Sequence, residues 1–245
     1  MYSFESRVRY SEIGEGGRLS VPAVINYMQD CSTFQSEKYG IGITHAMETG
    51  LAWMLSGWRI EVRELPRLGE PISISTWATA FNGLAASRNF TIKSAAEPEA
   101  EPLVRADSGW FLFDANKGRP TRVPESESAA YVEDAKDDSP LDMPAAPRMI
   151  KVSGEGEAAV PVTVTGALID TNHHVNNAQY VSLAFGVLEQ APAAPFTLEV
   201  RYSRAAKLGY VIYPHVHHEE LSGAPATVVT LDAEDGKPYA SVRIS

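Results

Sequence analysis

Ile169-Asp170-Thr171-Asn172-His173-His174-Val175-Asn176-Asn177-Ala178-Gln179-Tyr180 is the stretch on which the reading of this chain turns. Asp170, Asn172 and His174 occupy every second position, so in an extended segment their side chains project to one side and converge on one ligand. A carboxylate, an amide and an imidazole in that arrangement can accept a proton, orient a water molecule and donate to an oxyanion. Asn177 suits the N-cap of a following helix, which aims free backbone N–H groups at the same spot. Such a helix start stabilises developing negative charge. The same residues also fit a plain polar turn that caps a helix, with the histidine bonded structurally, and composition alone leaves both readings open.

Downstream, apolar spacing predicts a helix over residues 177–189 with Val181, Ala184, Phe185 and Leu188 on one face. Strand-like runs follow at 196–202, 210–217, 227–231 and 239–244, and a short strand is expected at 160–168. The first half follows the same plan. Alternation over 2–10 leads to the turn-forming Gly14-Glu15-Gly16-Gly17, then to a helix that Ser20 and Pro22 open and in which Val24, Met28, Cys31 and Phe34 form an apolar stripe. Strands are expected at 53–62, 71–79, 84–93 and 103–113. Between the halves, residues 114–157 are rich in Pro, Ala, Ser and acidic side chains and read as a connection with room for a short helix. Aligned without gaps, Gly14, Gly16 and Arg18 fall on Asp170, Asn172 and His174, so only the second half carries the chemical set.

The motif Asp-x-Asn-x-His-Val-Asn-Asn-x-x-Tyr at 170–180 resembles the signature of hot-dog thioesterases, and the tandem layout resembles the acyl-acyl-carrier-protein (acyl-ACP) thioesterases. Val8-Arg-Tyr-Ser-Glu-Ile13 and Leu19-Ser-Val-Pro-Ala-Val-Ile-Asn-Tyr-Met-Gln-Asp30 look like that family's N-terminal domain. The resemblance implies an α+β chain of two tandem hot-dog domains, each a long helix wrapped by an antiparallel sheet. The expected division is an N-terminal domain over 1–130 with an acyl-chain slot, a linker over 131–157 and a catalytic domain over 158–245. It further implies hydrolysis of fatty acyl-ACP thioesters with Asp170, Asn172 and His174 as catalytic groups. Asn176, Asn177, Tyr180, Met28, Arg201 and Arg204 are the expected substrate-binding positions. One departure stands out. Family members often place Glu, and plant members then Cys, after a segment that matches Arg201-Tyr-Ser-Arg204 here, but this chain continues into Ala205 and Ala206. Water-mediated hydrolysis with Asp170 as base, or Glu199 in its place, is the mechanism this leaves. Cys31, on the apolar stripe, reads as core.

At 245 residues the chain fits one large domain or two of roughly 120, and a formal net charge of −10 argues against nucleic acid, whose phosphates demand clustered cations. A carrier protein is itself acidic, so docking would need a local basic patch, for which Arg201, Arg204 and Lys207 are the candidates. No apolar run reaches the roughly 20 residues of a membrane span, the first residues lack a secretory pattern, and the single cysteine suits a reducing cytoplasm. No cofactor is expected: Gly14-x-Gly16 lacks the third glycine of a dinucleotide loop, and His215 and His217 lack a third metal ligand. Trp53, Trp58, Trp77 and Trp110 read as sheet core or slot lining. The rivals are the same chemistry on acyl-CoA, hydration by a related fold, and non-catalytic acyl binding. A monomer or a homodimer is expected.

Overall fold

The computed structural model describes residues 1–245. Twelve strands build one antiparallel sheet. Those of the first half are β1 (Tyr2–Arg7), β2 (Leu51–Val62), β3 (Pro71–Asn82), β4 (Ala85–Ser94), β5 (Val104–Asp114) and β6 (Arg119–Pro120). The second half contributes β7 (Glu157–Ala158), β8 (Val162–Thr163), β9 (Phe196–Tyr202), β10 (Val211–Leu221), β11 (Ala224–Asp232) and β12 (Pro238–Ile244). Four helices complete the α+β chain: α1 (Val21–Lys38), α2 (Ile43–Thr49), α3 (Glu125–Asp134) and α4 (Asn177–Phe185). None is long and apolar enough to cross a membrane.

The strand order is β1-β3-β4-β5-β2-β9-β12-β11-β10-β7. Read outward from the central β2–β9 pair, each half repeats the other. Alternation explains the strands: Ile72 and Ile74, Phe90 and Ile92, and Leu198 and Val200 all turn into one core with the buried faces of α1 and α4. At the seam Gly57 lies against the second half so closely that a Cβ there would meet the Val200 carbonyl at 2.5 Å. Only glycine allows that approach.

The likeness of the halves extends to single hydrogen bonds. Gly14 N–H donates to Arg18 O at 2.9 Å, and Asp170 N–H to His174 O at 2.8 Å. Leu19 N–H donates to Pro66 O at 2.8 Å, and Val175 N–H to Ala206 O at 3.0 Å. A bridge joins Ile13 to Leu19, and another joins Ile169 to Val175. Ser20 and Asn176 cap the helices that follow, each with its own side chain.

Several local expectations change. The strand expected over 160–168 is reduced to the two residues of β8, followed by a 3-10 turn at Gly166–Leu168, with β7 lying just before the expected range. Helix α4 stops at Phe185, where Gly186 caps it, instead of running to 189. The α1 stripe ends on Gln35, fully buried, while Phe34 is exposed. The connection contains α3 and then straps across the outer face of the first half. Trp77 Nε1 donates to Ser139 O (3.1 Å), Leu141 N–H to Asn89 Oδ1 (2.9 Å) and Ala146 N–H to Asp107 Oδ2 (2.7 Å).

Candidate active site

The Ile169–Val175 bridge closes 169–175 into a tight loop, so Asp170, Asn172 and His174 do not alternate along an extended segment as expected. The carboxylate of Asp170 organises the loop: its Oδ1 accepts the backbone N–H of Asn172 at 2.8 Å and of His174 at 3.4 Å. His173 takes a positive φ of 59°, where the first half has Gly17 at 67°. The loop's curvature, instead of strand alternation, brings the three side chains to one cavity.

That cavity has a volume of about 820 Å³ and is lined from both halves. The second half supplies the loop, the start of α4 and residues 201–205, whereas the first supplies α1, α2 and the sheet face around Leu55, Trp53 and Trp110. Asn176, one residue earlier than expected, is the N-cap, its side chain accepting the Ala178 N–H at 2.9 Å. Gln179 N–H turns back to the Asn176 carbonyl at 2.9 Å, so of the first turn the Asn177 N–H is left without an acceptor, and the helix start bears partial positive charge. Asn177 is instead clamped from two sides, its side-chain amide donating to Gln29 Oε1 (3.2 Å) and its backbone carbonyl accepting the Tyr202 hydroxyl (3.1 Å). Tyr180 accepts the Ala206 N–H at 2.8 Å, and burial pushes its hydroxyl up to about 12.

Of the expected binding positions, Asn176, Asn177, Tyr180, Arg201 and Arg204 line this cavity. Met28 does not. It is fully buried in the core, because its place on the α1 stripe faces the sheet. The basic patch is also weaker than expected: Arg204 is engaged by Asp235 at 2.7 and 3.0 Å, and Arg201, its cationic form disfavoured by burial, donates to Ser56 O at 3.2 Å. Glu199 is not free to act as a base, since Arg59 and Arg243 hold its two oxygens at 2.7 and 2.8 Å, away from the cavity lining. Asp170 and Asp30 are the two carboxylates that line the cavity. Ala205 faces it too, so the side chain that ends before a carboxylate is at the site itself.

Cys31 is fully buried, its thiol pushed up to about 12 by desolvation, which suits core and not a nucleophile. Trp58 and Trp77 are buried sheet residues, whereas Trp53 and Trp110 line the cavity. His215 is occupied by Asp232 at 2.8 Å. Gln29, Tyr202 and Arg88 are cavity residues that sequence reasoning missed. A signal existed for Arg88, because Ala86, Arg88, Phe90 and Ile92 alternate and put a cation on the apolar face of β4.

Residues 1–131 match the family model described as the acyl-ACP thioesterase N-terminal domain, and residues 156–245 match that of the C-terminal domain. The chain belongs to the acyl-ACP thioesterase family. Similar curated members include a chloroplastic palmitoyl-ACP thioesterase of Gossypium hirsutum, 23% identical over 82% of this chain and 51% of the relative. A chloroplastic dodecanoyl-ACP hydrolase of Umbellularia californica is 24% identical over 79% of this chain and 54% of its own length. The chain thus spans about half the length of the curated relatives it matches. Among solved structures, an acyl-ACP thioesterase from Bacteroides thetaiotaomicron superposes with a TM-score of 0.82 at 21% identity, covering 99% of this chain and 96% of the other. A 12:0-ACP thioesterase from Umbellularia californica gives 0.74 at 20% identity, with 99% and 96% covered. At these identities the superpositions establish a shared fold.

Proposed function

We propose that the protein hydrolyses the thioester of fatty acyl-ACP, releasing a free fatty acid, and that its halves are two hot-dog domains of which only the second, over 158–245, is catalytic. The observation that carries this reading is the loop of Asp170, Asn172 and His174 opening, beside the start of α4, onto a cavity that continues along α1 of the first half. One half supplies chemistry and the other supplies an apolar slot.

In this mechanism a water molecule attacks the thioester carbonyl carbon. Asp170 takes the water's proton through Oδ2, the oxygen that the loop N–H groups leave free. Negative charge moves onto the carbonyl oxygen, beside the N-terminal end of α4, where the Asn177 N–H and the positive end of the helix dipole stabilise it. Collapse breaks the C–S bond, and the proton that Asp170 took passes to the leaving sulfur, which becomes the carrier's thiol. His174 and Asn172 orient water and carbonyl. Arg201 and Arg204 line the cavity and are the cations an acidic carrier and its phosphopantetheine arm would meet. A cytoplasmic setting accords with the buried free thiol of Cys31.

Ala205 favours one second reading, an acyl-binding protein without turnover, because it leaves the cavity without a third carboxylate. Thiol release from matched acyl-ACP and acyl-CoA panels separates the readings. Turnover that prefers acyl-ACP is expected; turnover of acyl-CoA alone transfers the chemistry to that thioester, and binding without turnover establishes the second reading.

A further inference from the structure

Resting on the thioesterase reading, the cavity carries a feature the mechanism does not use. Arg88 is 8% exposed and lines the cavity, yet no carboxylate pairs with it. Its Nη1 donates to Gln35 Oε1 at 2.6 Å and to Thr76 Oγ1 at 3.4 Å, and its guanidinium lies over the Tyr131 ring, 4.9 Å from the centroid. Tyr131 is in turn bonded to Ser36 at 2.7 Å, and Gln35 donates to Asp134 at 2.9 Å. This network ties α1, β4 and α3 together beneath the C-terminal half of α1.

Helix α1 also measures the distance from the reacting end. Gln29 bonds Asn177, at the start of α4, and Ser36 bonds Tyr131, under Arg88. Those two α1 residues are two turns apart, roughly 10 Å at about 1.5 Å per residue. An extended alkyl chain advances about 1.3 Å per carbon, given carbon–carbon bonds of about 1.5 Å, so roughly eight carbons bridge the two contacts. An alkyl chain that went further would have to push aside a buried guanidinium and strip it of partners it cannot replace, a penalty that no added methylene offsets.

We propose that Arg88, held by Gln35 and Tyr131, is the floor of the acyl slot and restricts the substrate to medium-length unbranched chains of roughly eight to ten carbons. The charge sets the limit, not bulk alone.

Two readouts on the full chain test this. The first is the chain-length profile of kcat/KM on saturated acyl-ACP from C6 to C18 for wild type and for Arg88→Met, which removes the charge but keeps an unbranched side chain. Wild type peaks at C8–C10, and in the variant the ratio of the C14–C16 value to the C8 value rises at least tenfold. The second is the thermal shift of wild type with free fatty acids of the same lengths, which needs neither turnover nor a folded variant; the stabilisation peaks at C8–C10. A wild-type profile peaking at C16–C18 in either assay overturns the floor, as does a folded Arg88→Met with an unchanged profile. No turnover of any thioester, with the fatty-acid peak at C8–C10, overturns the hydrolysis and leaves the slot standing.

Discussion

The loops Ile13–Leu19 and Ile169–Val175 share one backbone and differ in everything chemical. Both close with the same antiparallel bridge and the same hydrogen bond from their second to their sixth residue. Both turn through a residue at positive φ, Gly17 or His173, and both deliver the chain to a capped helix. The first loop reaches that geometry with glycines, the cheapest residues for it. The second uses Asp170 to bond its own loop N–H groups and tolerates a histidine at positive φ, a more costly solution that a purely structural loop does not need. The difference teaches that the fold demands the loop twice, whereas the side chains of the second line the cavity.

The largest expected effect is on chemistry. Asp170→Asn and His174→Ala lower kcat for thiol release by about 10²–10⁴, the range for loss of a general acid or base, with far-UV circular dichroism unchanged. Asp30→Asn, on the opposite wall, costs less than about tenfold, below that range; a larger loss than in Asp170→Asn would transfer the base to α1.

Next comes the seam between the halves. Glu199→Ala leaves Arg243 without a carboxylate and Arg59 with Glu61 alone, 3.5 Å away, in a largely buried setting, and lowers stability by about 3 kcal/mol in urea unfolding. Because Glu199 is outside the cavity, kcat of the folded fraction stays within about threefold of wild type; a loss on the scale expected for a general base restores it as a catalytic candidate.

Ala205→Glu places a carboxylate at the cavity and raises kcat about tenfold, toward the lower limit for general-base assistance. Unchanged or lower kcat in the folded variant counts against Ala205 as the position of a missing base. The smallest effects belong to the loops themselves. Gly17→Ala destabilises the first loop by about 1 kcal/mol, since alanine strains at its φ, whereas His173→Gly relieves strain in the second and leaves thermal stability within about 0.5 kcal/mol. Equal losses at both positions would remove the contrast between them.

How far the sequence was legible follows from the kind of information each element uses. The long strands were readable because alternation is local: β2, β5, β9 and β12 begin and end within two residues of their expected limits. The loop was not, because alternating polar side chains suit an extended segment as well as a tight turn, and only φ at His173 decides between them. The cap fell on Asn176 because two consecutive asparagines both suit it and the helix register chooses. Met28 was misplaced for a related reason: spacing names the apolar stripe, but which part of α1 faces sheet and which faces cavity depends on α4 packing against it. Gln29 and Tyr202 act through partners distant in sequence, and no local pattern marks them.

The most direct test of the central claim, that chemistry resides only in the second loop, is a single-turnover measurement of thiol release from a C8 acyl-ACP. Wild type and Asp170→Asn are compared with the triple variant Gly14→Asp, Gly16→Asn, Arg18→His, which writes the same three residues into the first loop. Rapid release by wild type, near-complete loss in Asp170→Asn and no added activity in the triple variant are the expected results. Release that persists in folded Asp170→Asn would contradict the claim.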